Sequence, residues 1–163
     1  MKKAFLILFL VCAGYQGMAQ ADTAGIYLRF PTIPPFRLTN LADSSQFTKD
    51  DLADKKATVF IIFNPFCDHC KHETEELKAN IGLFKEAQII MASPIDYAHL
   101  KKFYEAYRIA DYPGIVMGRD PGNFFGTFFN IRTIPSVFVY NKKGKFVAAF
   151  ERPESIKKIA EIL

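Results

Sequence analysis

Two cysteines separated by two residues, Cys67 and Cys70, are the side chains of this chain best suited to chemistry. They follow an apolar run, residues 57–63, and precede a segment with helical periodicity. A Cys-x-x-Cys pair at a strand-to-helix junction can open and close as a disulfide, because its sulfurs lie one helical turn apart. The partial positive charge of a helix N-terminus stabilises a thiolate at the first cysteine. We therefore predict that Cys67 attacks and Cys70 resolves.

Other uses of this cysteine spacing fit less well. A structural zinc site needs four protein ligands, and the sequence has no second Cys or His pair to complete one. Covalent haem attachment requires Cys-x-x-Cys-His, whereas Lys71 follows Cys70 and the histidine comes one place later. An inert structural disulfide stays open as an alternative, although closing so short a loop removes little unfolded-state entropy. A thiol-disulfide redox function is therefore favoured.

Residues 1–21 are typical of a secretory signal peptide. Two lysines follow Met1, residues 4–13 are apolar, and residues 19–21 offer small side chains for cleavage. The apolar stretch is too short for a membrane-spanning helix, which takes about 20 residues. The third cysteine, Cys12, lies inside it, and lipid attachment there is disfavoured because the residues just ahead of it are bulky.

Export would leave residues 22–163 as a single domain with Cys67 and Cys70 as its only cysteines. In an oxidising compartment such a pair stays oxidised unless a partner supplies electrons. Half of the residues are apolar, and a mature chain of about 140 residues can bury a real core. Removing the two signal-peptide lysines lowers the formal net charge from +4 to +2, which is too balanced to indicate a nucleic-acid partner. We expect a monomer whose partners are proteins or small thiols.

The apolar pattern predicts an α/β domain with one β-α-β unit around the dithiol. Four phenylalanines within residues 124–129 are expected in the core rather than on a rim for substrates. The predicted elements, in chain order, are a hairpin within 25–52, a strand at 57–63, a helix after the dithiol, a strand at 87–92, a helix through 100–107, a short strand at 115–117, a short helix at 124–129, a hairpin of 136–140 and 145–150, and a final amphipathic helix.

This order of elements resembles the thioredoxin fold over nearly all of the mature chain. Within that fold the chain is most similar to exported oxidoreductases of the TlpA/ResA type, which carry an N-terminal hairpin and a central helix-strand insertion. The similarity rests on residues 33–38, on Cys-Asp-His-Cys-Lys-His-Glu at 67–73, and on Thr-Ile-Pro-Ser at 133–136, which is similar to their cis-proline loop. It implies a central mixed β-sheet flanked by helices and a thiol-disulfide oxidoreductase activity.

The resemblance also implies roles for residues around the dithiol. Pro135 would be cis, so that Ile134 can offer its backbone N–H and C=O to a substrate strand beside Cys67. From the sequence alone, a proline that opens an edge strand is the alternative. Phe66 stands where thioredoxins usually have Trp and would contact substrate, whereas Ile61 stands where they usually have a buried Asp.

Glu73 lies three residues after Cys70, on the same face of the predicted helix, and matches a glutamate that reductive exported members use near the dithiol. Proton exchange with the cysteines is one interpretation, and a charge that is solvated or stabilises the helix dipole is the other. Asp68 and His69 are expected to tune the redox potential in opposite directions, because a protonated histidine stabilises a thiolate and a carboxylate repels it. The sequence leaves the sign of that balance open.

We therefore predict an exported thiol-disulfide oxidoreductase that reduces protein disulfides in the periplasm or cell envelope and draws on a membrane electron donor. A DsbA-like oxidant of the same fold is one alternative, and the reduction potential separates the two. A Cu(I) carrier that uses Cys67, Cys70 and either His69 or His72 is another, although such carriers usually have a wider cysteine spacing. Peroxidase activity of the peroxiredoxin kind is disfavoured, because that family uses a differently placed cysteine. No cofactor and no resident metal ion is expected.

Overall fold

A computed structural model describes residues 25–163, so the predicted signal peptide and Cys12 lie outside the described residues. The strands are β1 Arg37–Asn40, β2 Gln46–Thr48, β3 Ala57–Ile62, β4 Ala87–Ser93, β5 Ile115–Arg119, β6 Ser136–Tyr140 and β7 Phe146–Phe150. The α-helices are α1 Ile26–Arg29, α2 Asp68–Ala79, α3 Tyr97–Ala106, α4 Phe124–Phe128 and α5 Ile156–Ala160. Short 3-10 helices occupy Lys49–Asp51, Ile81–Phe84 and Ile109–Asp111.

The seven strands form one mixed sheet in the order β2-β1-β5-β4-β3-β6-β7. Strand β4 pairs in parallel with β3 and β5, whereas β6 pairs antiparallel with both β3 and β7. The N-terminal hairpin β1-β2 extends the sheet through an antiparallel pairing of β1 with β5. The predicted thioredoxin fold, with its N-terminal hairpin and its inserted α3 and β5, is thereby confirmed.

The two faces of the sheet are covered by different elements, and this explains why every residue of β3 is buried. Side chains alternate along a strand, so Val59 and Ile61 face one layer while Phe60 and Ile62 face the other. The first layer contains apolar side chains of α2, α3 and α5, together with Cys70. The second layer is strongly aromatic and contains side chains of α1 and α4.

The phenylalanine cluster within residues 124–129 belongs to this second layer, as predicted. Phe125, Phe128 and Phe129 are buried, and Phe124 is half-buried against them. The ring of Phe129 stacks on that of Phe138 in β6, with 3.7 Å between their centroids. The cluster therefore packs in the core and holds the chain just ahead of the loop at 133–136.

Strand β6 lies inside the sheet, between β3 and β7. Pro135 immediately precedes this strand, so the alternative in which the proline opens an edge strand is wrong. The missing N–H of Pro135 instead falls in the loop that leads into a central strand. Within residues 25–163, none of the helices has both the length and the apolar character that a membrane crossing requires.

Candidate active site

Cys67 and Cys70 lie at the N-terminus of α2, just beyond the end of β3. Cys67 is the N-cap residue with extended backbone angles (φ −82°, ψ 122°), and its carbonyl accepts the first helical hydrogen bond, from Lys71 at 3.1 Å. A turn ahead of the helix fixes this position, because Cys67 N–H donates to Asn64 O at 3.1 Å. The Asn64 side chain also accepts a hydrogen bond from Phe66 N–H at 2.9 Å. The strand and the turn together hold the first sulfur at the helix N-terminus.

The two cysteines are free thiols with unequal exposure. Cys67 is half-buried, whereas Cys70 is 1% exposed and packs with the apolar core. Burial raises the pKa of the Cys70 thiol to about 12. A hydrogen bond from the Asn64 backbone lowers this pKa, whereas the hydrogen bond and charge of Cys67 and the charge of Glu73 raise it further. Cys70 is therefore protonated at neutral pH, and Cys67 is the sulfur that a substrate can reach.

The loop at 133–136 packs against the dithiol. Its Ile134–Pro135 peptide bond is cis. The Cys67 thiol donates a hydrogen bond to the carbonyl oxygen of Ile134, with 3.9 Å between sulfur and oxygen. Ser136 Oγ donates to Thr133 O at 2.7 Å and closes the turn. The backbone of Ile134 thus lies next to the more accessible of the two sulfurs.

Glu73 lies in a crevice beneath the dithiol. Glu73 is only 5% exposed, and neither oxygen of its carboxyl group has a hydrogen-bond partner within residues 25–163. Burial raises the pKa of Glu73 to about 8, and the charge of Glu76 adds to the effect. Cys70 and Pro135 line the same crevice, which has no room for a water molecule. The interpretation of Glu73 as a solvated surface charge is therefore wrong.

Ile61 also lines this crevice. It is 3% exposed and occupies the strand position at which thioredoxins usually carry a buried Asp. The carboxyl group beside Cys70 is therefore supplied by α2 instead of β3. The remaining crevice side chains are Phe63, Thr74, Leu77 and Met91.

The residues between the cysteines are exposed to solvent. Asp68 forms an ion pair with Lys71 at 2.8 Å, and the hydrogen bond and charge of Lys71, with a contribution from His69, lower the pKa of Asp68. The Lys71 ammonium therefore offsets part of the negative charge that Asp68 brings near the dithiol.

Phe66 presents an exposed ring beside Cys67, with 59% of the residue accessible. The ring meets that of His99 edge to face, with 5.1 Å between centroids. Asp96 caps α3 and holds His99 through its carboxylate. No sequence pattern pointed to His99, because it lies about 30 residues from the dithiol, outside any motif.

The described residues offer no ready metal centre. Within residues 25–163, no group of three or more His, Cys, Asp or Glu side chains is arranged to hold a metal ion. The Cu(I) carrier hypothesis therefore lacks a third ligand beside Cys67 and Cys70 in this conformation.

The fold and the dithiol define a thioredoxin-fold thiol-disulfide oxidoreductase. A family match over residues 31–149 shows further that the chain belongs to the AhpC/TSA family. The thiol:disulfide interchange protein HelX of Rhodobacter capsulatus is 27% identical over 147 residues, which cover 88% of this chain and 80% of HelX. This similarity agrees with the class that the dithiol indicates.

Two solved structures share the fold at low sequence identity. A secreted disulfide oxidoreductase of Mycobacterium tuberculosis superposes with a TM-score of 0.64 at 17% identity, over 77% of this chain and 92% of the other. StoA from Bacillus subtilis superposes with a TM-score of 0.64 at 15% identity, over 80% of this chain and 98% of StoA. At such identities the likeness concerns the fold alone.

Proposed function

We propose that this protein is an exported reductant of protein disulfides, with Cys67 as the nucleophile and Cys70 as the resolving thiol. The observation that carries the proposal is the asymmetry of the pair: one sulfur is accessible at a helix N-terminus, and the other is buried with a pKa raised to about 12. Nucleophilic attack requires a thiolate that a substrate can approach. Of the two sulfurs, only that of Cys67 is accessible, and it lies at a helix N-terminus, where partial positive charge favours a thiolate.

The reaction takes place in two exchanges. The Cys67 thiolate attacks one sulfur of a substrate disulfide, a Cys67–substrate bond forms, and the second substrate sulfur leaves as a thiolate that takes a proton from water. Cys70 then attacks the Cys67 sulfur, its proton is transferred, and the first substrate sulfur is released. The substrate has gained two electrons, and the protein carries a Cys67–Cys70 disulfide that a membrane electron donor reduces.

Three neighbouring residues are assigned to substrate contact. The N–H and C=O of Ile134, ahead of Pro135, can pair with an extended substrate segment, because this backbone lies 3.9 Å from the attacking sulfur. The exposed ring of Phe66, the residue directly before Cys67, supplies an apolar contact. These contacts align the substrate disulfide with the nucleophile.

Glu73 is assigned the proton transfer of the second exchange. The buried Cys70 cannot give its proton to bulk water, and the Glu73 carboxyl group in the same crevice has no hydrogen-bond partner within residues 25–163. A base with a pKa of about 8 is matched to a reaction near neutral pH. Glu73 therefore acts when ionised, so resolution should become faster as the pH rises through about 8.

The reductive direction is supported by the electrostatics of the reduced pair. An oxidant such as DsbA owes its potential to a stabilised reduced form. Here burial and the nearby Glu73 disfavour ionisation of Cys70, and no Lys or Arg lines the crevice among the described residues. Asp68 and His69 lie outside it, exposed to solvent, where their opposing influences are weakened. We expect a reduction potential of about −270 mV rather than about −120 mV.

Export to the periplasm or cell envelope is proposed from the signal-peptide pattern of residues 1–21. One relative of the same fold is itself described as secreted. In that compartment the expected partners are disulfide-containing proteins and a membrane electron donor, and the protein is expected to act as a monomer.

The test measures reduction of a model protein disulfide by the reduced protein. Wild type should accelerate it, and Cys67→Ser should abolish the acceleration, whereas retention of most of the rate would refute the nucleophile assignment. Cys70→Ser should trap envelope proteins as adducts that reductant releases and that require Cys67. A potential near −120 mV would favour the oxidant, and efficient turnover of peroxide would favour the peroxidase.

A further inference from the structure

A small pocket opens next to the dithiol, at the carboxyl ends of β3 and β4. Its volume is about 170 Å³. The β3 end contributes Ile62 and Phe63, the loop after β4 contributes Ile95, and the segment before β6 contributes Ile131 and Ile134. The walls are thus largely apolar and come from three separate parts of the chain.

The pocket is continuous with the proposed substrate-contact surface. Ile134 belongs to both, because its carbonyl oxygen lies 3.9 Å from Cys67 Sγ and the residue also lines the pocket. Asn64 also belongs to both, since it lines the pocket and its carbonyl accepts the Cys67 N–H at 3.1 Å. A polypeptide joined to Cys67 and aligned along Ile134 would therefore pass the mouth of the pocket.

We propose that this pocket binds one uncharged apolar side chain of the substrate polypeptide, within two positions of its target cysteine. The proposal rests on the function assigned above and adds a preference for the sequence around the substrate disulfide. In an extended segment successive side chains point to opposite sides, so a neighbour of the cysteine can enter the pocket while the cysteine faces Cys67.

Size and charge both select the occupant. Small-molecule sites usually measure about 300–1,000 Å³, so a pocket of 170 Å³ fits a single side chain better than a free ligand. The polar groups in its walls are neutral amides and a hydroxyl, from Asn64, Asn123 and Ser93, and no charged residue lines it among the described residues. A charged side chain would lose hydration there without gaining a partner of opposite charge.

The test uses peptides that carry one cysteine as a mixed disulfide with 2-nitro-5-thiobenzoate, whose release reports the first exchange. Each peptide has Leu, Gly or Asp at one position from −2 to +2 relative to the cysteine. With the reduced wild-type protein, Leu at one of these positions should react about tenfold faster than Gly, equivalent to about 1.4 kcal/mol from partial burial of the side chain. Asp at the same position should react more slowly than Gly.

Variants of the pocket residues test whether the preference for Leu arises in the pocket. Ile95→Phe fills the pocket and should bring the Leu-to-Gly rate ratio close to one, and Ile131→Phe fills it from another wall if the first variant does not fold. Ile95→Ala enlarges the pocket and should shift the preference towards Phe. Val147→Phe, an exposed position on the edge strand β7, is the matched control and should keep the wild-type ratio.

The possible failures are distinguishable. Equal rates for Leu and Gly peptides at every position, with chromophore released from all of them, would overturn the pocket proposal and leave the proposed function intact. A Leu preference that survives both filling variants would also overturn it. Absence of chromophore release from every peptide by wild type would instead refute the proposed function.

Discussion

Glu73 should make the stability of the reduced protein depend on pH. In the folded state burial raises the pKa of Glu73 to about 8, whereas the ordinary carboxyl value is 4.5. Between these values the unfolded chain has released the proton while the folded chain still holds it. The folded state then binds more protons, so raising the pH favours unfolding. The destabilisation is absent below about pH 4.5 and complete above about pH 8.

The size of the effect follows from the two pKa values. The interval from 4.5 to about 8, at 1.36 kcal/mol per pH unit, gives a maximum of about 5 kcal/mol. Partial relaxation around the carboxylate reduces this, and about 3 kcal/mol between pH 5 and pH 8 is expected. Since the free energy of unfolding of a domain is usually about 5–15 kcal/mol, this decrease is a large fraction of the total stability.

The measurement is urea unfolding of the reduced protein at pH 5, 6, 7 and 8, followed by far-ultraviolet circular dichroism in a phosphine reductant. Glu73→Gln cannot ionise, so its free energy of unfolding should fall by about 3 kcal/mol less than that of wild type over this range. Glu75→Gln, which removes an exposed acid of the same helix, is the matched control and should follow wild type. The difference between the wild-type and Glu73→Gln curves therefore isolates the contribution of residue 73. Parallel curves for wild type and Glu73→Gln would refute the burial argument.

Three further outcomes are expected. At pH 7 iodoacetamide should modify Cys67 well before Cys70, because the second thiol is 1% exposed with a pKa near 12; equal labelling in mass spectra would contradict this. Rapid-quench measurement of mixed-disulfide resolution should show a rate that rises through about pH 8 in wild type and loses this rise in Glu73→Gln, and an unchanged profile would remove Glu73 from the proton transfer. Gly118→Ala should destabilise the fold by about 1–3 kcal/mol in urea unfolding, because its Cβ would lie 2.7 Å from a side chain of β1, whereas Gly114→Ala, in open space, should cost little.

The parts of the fold that the sequence predicted are those set by local pattern. Residues 57–63 and 87–92 are continuous apolar runs, which is what a strand requires when both of its faces are covered. The start of α2 at the dithiol follows from the spacing of the two cysteines. The helix α1 was not predicted, because a single turn over Ile26–Arg29 is too short to show periodicity.

The parts that the sequence left open depend on residues distant in the chain. Helical spacing places Glu73 on the same helix face as Cys70. The burial of Glu73, however, depends on Met91 of β4 and on Pro135, which the fold packs around the same crevice. The pocket next to the dithiol is built in the same way, with walls from three segments that are each about 30 residues apart. No short stretch of the sequence contains enough of the residues around Glu73, or around the pocket, to predict either one.

The position of Glu73 bears on how this fold can place an acid beside the buried thiol. Thioredoxins, which the chain resembles, usually carry the acid on the strand that precedes the dithiol, where this chain has Ile61. Ile61 and Glu73 line the same crevice from β3 and from α2. A carboxyl group from either element would lie in the low-dielectric space beside Cys70, where desolvation raises its pKa towards the working pH. We therefore propose that the crevice, and not the identity of the strand residue, determines where a proton acceptor can act. A glutamate on α2 can then take this role while the face of β3 towards the crevice stays apolar.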